Sequence, residues 1–124
     1  MTKVNRRKHV RVKTNNLISH ETIGRDGRVI SRSMGKALNV SRSGILLETP
    51  YPIVAEGISL MTVDLDDQLI EIKGRPIYCR ETYAGMFQTC ISFIGTEEET
   101  AKFAVKLIKL FNHRKHNLIM QVAA

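Results

Sequence analysis

Two short segments of this chain carry side chains that could do chemistry. The first is a basic run near the start, Arg6-Arg7-Lys8-His9-Val10-Arg11, in which Arg7 and Arg11 stand in an R-x-x-x-R pattern. The second is Asn39-Val40-Ser41-Arg42-Ser43-Gly44, an N-x-S-x-x-G pattern. Guanidinium groups are planar and present paired donors, so they bind phosphate bidentately, stack on bases and match the O6/N7 edge of guanine. Residues four apart converge on one side, whether the arm is helical or extended. Asn39 and Ser41 lie two apart, so on a strand they share a face and can offer hydrogen bonds to a base edge or a phosphate. Gly44 permits a sharp turn and close approach of a ligand to the backbone. Together these residue types suit an anionic ligand that carries bases. Taken singly, the basic run reads as a solvated tail and the second motif as an ordinary hairpin turn.

The elements that must position them are legible as periodicity. Residues 1–12 are polar and basic and read as an arm. From residue 13 to 95, short apolar stretches recur between turn signals. Leu17-Ile18 opens a strand. Gly24-Arg25-Asp26-Gly27 forms a hairpin turn, and Val29-Ile30 continues from it. Gly35–Val40 and Ile45–Thr49 flank the Ser41–Gly44 turn, and Pro50 and Pro52 end the second of these strands. Ile58–Leu65, Leu69–Tyr78 and Phe87–Ile94 follow, turned by Asp66-Asp67 and Tyr83-Ala84-Gly85. The pattern predicts a mostly β chain: a small six- or seven-stranded antiparallel barrel.

A helix is expected over 96–116. Thr96 is placed as N-cap and Glu99 at N3 of a capping box, with Phe103, Leu107 and Leu110 at helical spacing. Residues 117–124 form an apolar tail (Leu118, Ile119, Met120, Val122) that extends the helix or packs on a second copy in a homodimer.

Composition bounds the function. The chain has 124 residues, one ordinary domain, with 43% hydrophobic residues and a net charge of +7. A basic surface favours anionic partners. No signal peptide and no long apolar span is evident, so a soluble, cytoplasmic protein with reduced thiols is expected, with Cys79 and Cys90 as buried core residues. Catalysis is not expected. His9, His20, His113 and His116 have no spaced acid or nucleophile partner. Cys79, Cys90, His113 and His116 lack zinc-site spacing, so no metal and no cofactor is expected.

The ordered combination of R-x-x-x-R, N-x-S-x-x-G, barrel strands and a closing helix resembles the PilZ domain family, from about Arg6 to about Phe111. The resemblance implies binding of the bacterial second messenger cyclic di-GMP. Arg7 and Arg11 would clamp phosphates and a guanine, folding the arm over the ligand. Asn39 and Ser41 would contact the guanine edge or a phosphate, and Gly44 would keep the turn open. Arg6 holds the place associated in the family with ligand stoichiometry, where arginine favours an intercalated ligand dimer. The family more often has aspartate at position 39, and often glycine where Cys90 stands before Ile91-Ser92-Phe93. The resemblance further implies a receptor or adaptor that signals to an effector protein in motility, pilus, biofilm-polysaccharide or transcription machinery. Two rival readings stand beside it. One is a basic barrel that binds nucleic acid, disfavoured because three Tyr, four Phe and no Trp leave few stacking platforms. The other is a PilZ-like adaptor that has lost its ligand.

Overall fold

The structure, a computed structural model, describes residues 10–123; within it, the side chains of residues 118, 119 and 121–123 are not described. Six strands precede one helix: β1 (Val12–Ile23), β2 (Val29–Val40), β3 (Gly44–Thr49), β4 (Gly57–Val63), β5 (Leu69–Glu81), β6 (Phe87–Ile94) and α1 (Glu97–Ala123). The strands close into an antiparallel barrel in the order β1-β2-β3-β6-β5-β4. Val29-Ile30 and Gly35–Val40, read separately in the sequence, are one continuous strand, which settles the count at six.

Three hairpins use one turn chemistry. At each, the first residue donates its N–H to the carbonyl four residues on and accepts from the residue three on: Gly24 with Arg28 and Gly27, Asp64 with Gln68 and Asp67, Thr82 with Met86 and Gly85. The third position needs positive φ and is Gly27, Asp67 and Gly85 in turn. At Asp67, which has a side chain, Asp64 gives support by accepting from the backbone N–H of Asp66 and Gln68 at 2.9 Å each.

The lumen is aliphatic. Ile18, Val40, Ile45, Leu47, Ile58, Leu60 and Ile91 are all essentially inaccessible. Alternate residues of β1, from Thr14 to Thr22, point inward, the two-residue period of a strand with one face on a core. At one end, α1 stops the barrel with Phe103, Ala104, Leu107 and Leu110. Phe103 meets Phe93 edge to face at 5.5 Å, and Asn16 donates to the Leu107 carbonyl at 2.8 Å. At the other end, Ile53 in the loop after β3 is buried with the core.

Thr96 and Glu99 form the capping box reciprocally, at 3.1 Å in each direction. The Thr96 backbone N–H holds the Glu99 carboxyl below its usual range. The helix does not stop at residue 116 but runs on to Ala123. Cys79 is a correction to the expected buried thiol. It is exposed because β5 pairs with β4 only as far as Gly74, and the hairpin beyond projects from the barrel. Cys90 is half-buried, and both cysteines are free.

Candidate functional site

The two sequence motifs meet at the helix-capped end of the barrel. Arg11 immediately precedes β1, and its Nη1 donates to Asn39 Oδ1 at 2.5 Å. Lys13, the next basic residue on β1, stands opposite Asn39 in the ladder. Arg6 and Arg7 lie outside the described residues.

A bulge sets the aim of Asn39. On β2, Ala37 faces Leu47 and Asn39 faces Leu46, so Leu38 is the extra residue. On the other side, Lys13 and Asn16 of β1 face Asn39 and Ala37, a second shift. Such insertions re-aim side chains. Here Ala37 and Val40 both turn into the lumen, while Asn39 stays half-buried and reaches Arg11.

Ser41 behaves differently from Asn39, although the two are two residues apart. Ser41 is 3% exposed and lies past the end of β2. Its N–H donates to the Gly44 carbonyl at 2.8 Å, and its hydroxyl accepts from the Ser43 N–H at 3.2 Å. The same hydroxyl lies 3.2 Å from Ser43 Oγ. Its hydrogen-bonding capacity thus serves the turn rather than an open face.

Gly44 is also explained by packing. A Cβ there would lie 2.4 Å from the Ile91 carbonyl oxygen of β6. Its φ is not positive, so closeness to β6 rather than turn conformation demands glycine. Through this approach the turn is sewn to β6: the Phe93 N–H donates to the Ser43 carbonyl at 2.9 Å.

The outer face beside the motif reads across four strands. Asn39 pairs with Leu46, Leu46 with Cys90, and Cys90 with Tyr78. In the next row Gly44 pairs with Ser92, and Ser92 with Arg75. Arg42, Arg75 and Lys13 are all exposed, so this end carries a group of cations in addition to Arg11. Sequence reading did not assign Arg75. It is brought to the motif by β6, which lies between β3 and β5 in the barrel but last in the chain. Among the described residues, no cluster of His, Cys, Asp and Glu suits a metal ion. No helix among the described residues is long and apolar enough to cross a membrane.

The sequence matches no protein-family model and no curated protein. Solved structures do match. The PilZ domain of YcgR from Escherichia coli, in a structure with c-di-GMP, superimposes with a TM-score of 0.60 at 12% identity, covering 93% of this chain and 98% of that one. The fold is that of a PilZ domain.

Two further PilZ-fold structures are larger. The MrkH–c-di-GMP complex of K. pneumonia gives a TM-score of 0.62 at 17% identity, with 90% of this chain and 56% of that one covered. The Bacillus subtilis inhibitor of motility MotI gives 0.61 at 14%, with 94% and 55% covered. The chain spans little more than half the length of MrkH and MotI. At these identities the likeness is one of fold.

Proposed function

We propose that this PilZ domain is a cyclic di-GMP receptor and adaptor that acts by binding rather than catalysis. The observation that carries this reading is the Arg11–Asn39 hydrogen bond, which joins one member of each motif at a cationic end of the barrel. The reading is supported by the fold it shares with c-di-GMP-bound YcgR and MrkH.

In the proposed mechanism, Arg7 and Arg11 receive the ligand's phosphates and a guanine face, and Arg6 sets whether one ligand or an intercalated pair is held. Asn39 offers one acceptor and two donors to the guanine edge. Ser41 and Gly44 keep the turn pressed against β6, so that Asn39 and the backbone present a fixed surface. Each shielded charge-assisted contact is worth about 1.5–3 kcal/mol. Without ligand, mutual repulsion of the arginines and chain entropy oppose ordering of the arm. Neutralisation by phosphate removes the first of these costs, and the arm folds over the barrel to form a new surface for an effector protein. Candidate effectors are flagellar, pilus, exopolysaccharide or transcription machinery, and the setting is the cytoplasm.

Isothermal titration with cyclic di-GMP tests the reading. Low-micromolar or tighter binding is expected, with the stoichiometry reporting on Arg6. A folded protein that takes up no ligand would reject it. Limited proteolysis tests the switch: the arm should be cut more slowly with ligand present, and equal rates would rule out arm closure.

A further inference from the structure

The helix α1 outruns the barrel that it stops. Among the described residues, Leu110 is the last of the helix to be buried in the core, yet α1 continues to Ala123, roughly 20 Å further at about 1.5 Å per residue. Asn112–Asn117 are exposed, so this stretch gains no burial from its own barrel. A short helical length without a packing partner is marginal in water. The sequence of the extension is nevertheless not that of a solvated end. Phe103, Leu107 and Leu110, which pack on the core, are followed at four-residue steps by Arg114, Leu118 and Val122. The apolar spacing thus continues beyond the last turn that the barrel covers.

Beside the root of this extension, the outer wall of the barrel carries an apolar groove of about 560 Å³. Its floor comes from four strands, with Leu17 of β1, Met34 of β2, Met61 and Val63 of β4 and Leu69 of β5, and Arg114 of α1 borders it. The register brings these side chains together. Ser19 faces Met34 on one side and Met61 on the other, and Val63 faces Leu69. Leu17, two residues before Ser19, shares its face. The outer face of an antiparallel sheet is ordinarily polar. Here Leu17, Met34, Val63 and Leu69 are each about half exposed or more with α1 in place, so the chain's own helix does not cover them. Glu21 and Arg32, which also border the groove, are paired with each other. An apolar floor with a polar rim is the anatomy of a protein interface. Other exposed apolar residues, such as Val54 and Tyr83, stand on loops and turns away from this wall.

We infer that the groove receives the α1 extension of a second copy of this chain, in a two-fold dimer whose helices cross between Arg114 and Leu118, each end lying along the other copy's Leu17, Met34, Met61 and Val63. The occupant follows from the chain itself. An uncovered apolar groove and an apolar helix end that has outrun its barrel lie side by side, with Arg114 belonging to both. A continuous helix cannot fold back onto the wall beside its own root, whereas the helix of a two-fold mate reaches that wall from the opposite direction. Each copy then gives one helix end and receives one, the self-complementary pattern that closes at two. Used twice by symmetry, a helix end about 20 Å long in a groove of this size is on the order of the roughly 800 Å² per partner that stable interfaces bury. The matched Glu21–Arg32 pair leaves the groove without a charge to recruit a ligand, so the recognised feature is apolar.

The test is sedimentation of the whole chain, without nucleotide, from low to high micromolar concentration. The 14.0 kDa chain should pass from monomer to dimer over that range. Met34→Glu on the wall and Leu118→Glu on the extension should each raise the dimer dissociation constant at least tenfold while the circular dichroism spectrum stays native. Tyr83→Glu, on a turn away from the groove, should leave it unchanged. In the wild-type protein, amide exchange of residues 112–120 should slow as the concentration rises. A chain that stays monomeric at high micromolar concentration overturns the inference. So does a dimer that both substitutions leave intact, or one that forms without added protection of the 112–120 amides. The wild-type exchange readout decides the matter even where a substituted chain does not fold.

Discussion

Arg11 Nη1 and Asn39 Oδ1 lie 2.5 Å apart, although 28 positions separate them in the chain. The contact anchors the base of the basic arm to β2 before any ligand arrives. Arg11 is thereby held at the site, and part of the entropy of placing its side chain is lost in advance.

Arg11→Ala should therefore weaken cyclic di-GMP binding by about 10–100-fold, in line with the loss of one or two charge-assisted contacts. Thermal stability should change little, because the half-buried guanidinium contributes nothing to the lumen. Titration calorimetry beside a melting curve checks both halves. Unchanged affinity would remove Arg11 from the site.

Gly44→Ala should destabilise the fold rather than merely weaken binding. The added methyl would collide with the Ile91 carbonyl, which is backbone and cannot swing away. Overpacking of this kind costs about 1–3 kcal/mol, visible as a lower urea midpoint. A variant with unaltered stability would show that the β3–β6 approach is looser than described.

Leu107→Ala removes a side chain that is wholly buried where α1 stops the barrel. Such truncations cost about 2–5 kcal/mol. Chemical denaturation should report a single weakened transition, since Leu107 belongs to the same core cluster as Ile18 and Ile45. A separate early loss of helix would contradict that common core.

Two groups give the stability a pH dependence of the same sign. The Gln68 backbone N–H, with the Lys106 ammonium at 3.0 Å, holds the Asp64 carboxyl below its ordinary value near 3.8. Its contribution is present above that value and is lost as pH falls through the lowered native pKa. His20, lowered by burial from 6.5, resists protonation in the fold. The unfolded chain therefore binds more protons, and stability declines as pH falls below about 6.5. Urea midpoints from pH 8 to 3 should fall in two stages. His20→Leu should flatten the first stage, and Asp64→Asn the second. A midpoint that rises on acidification would overturn both assignments.

Much of this was legible in the sequence wherever the cause is local. Asp-Gly at residues 26 and 27, the Thr96/Glu99 box and the Phe103–Leu107–Leu110 spacing each name their structure within a few residues. What could not be read depends on neighbours brought from afar. The divergence of Asn39 and Ser41 follows from bulges whose register is set by Lys13, Asn16 and Leu46. The need for glycine at 44 comes from a carbonyl at 91. Cys79 reads as core by its apolar surroundings, but β4 ends before reaching it. Arg75 joins the motif only through the barrel order.

The closed ring has a consequence for how such a domain can respond. Where the ladders overlap, each strand is held on both sides, and there no strand can slide or peel without breaking two ladders at once. Amides deep in the ring should exchange with solvent only through global unfolding, as one cooperative unit. Movement is thereby confined to the fringe: the projecting hairpins and the helix beyond Leu110. The barrel serves as a stiff chassis, and anything it communicates must be written in its attachments.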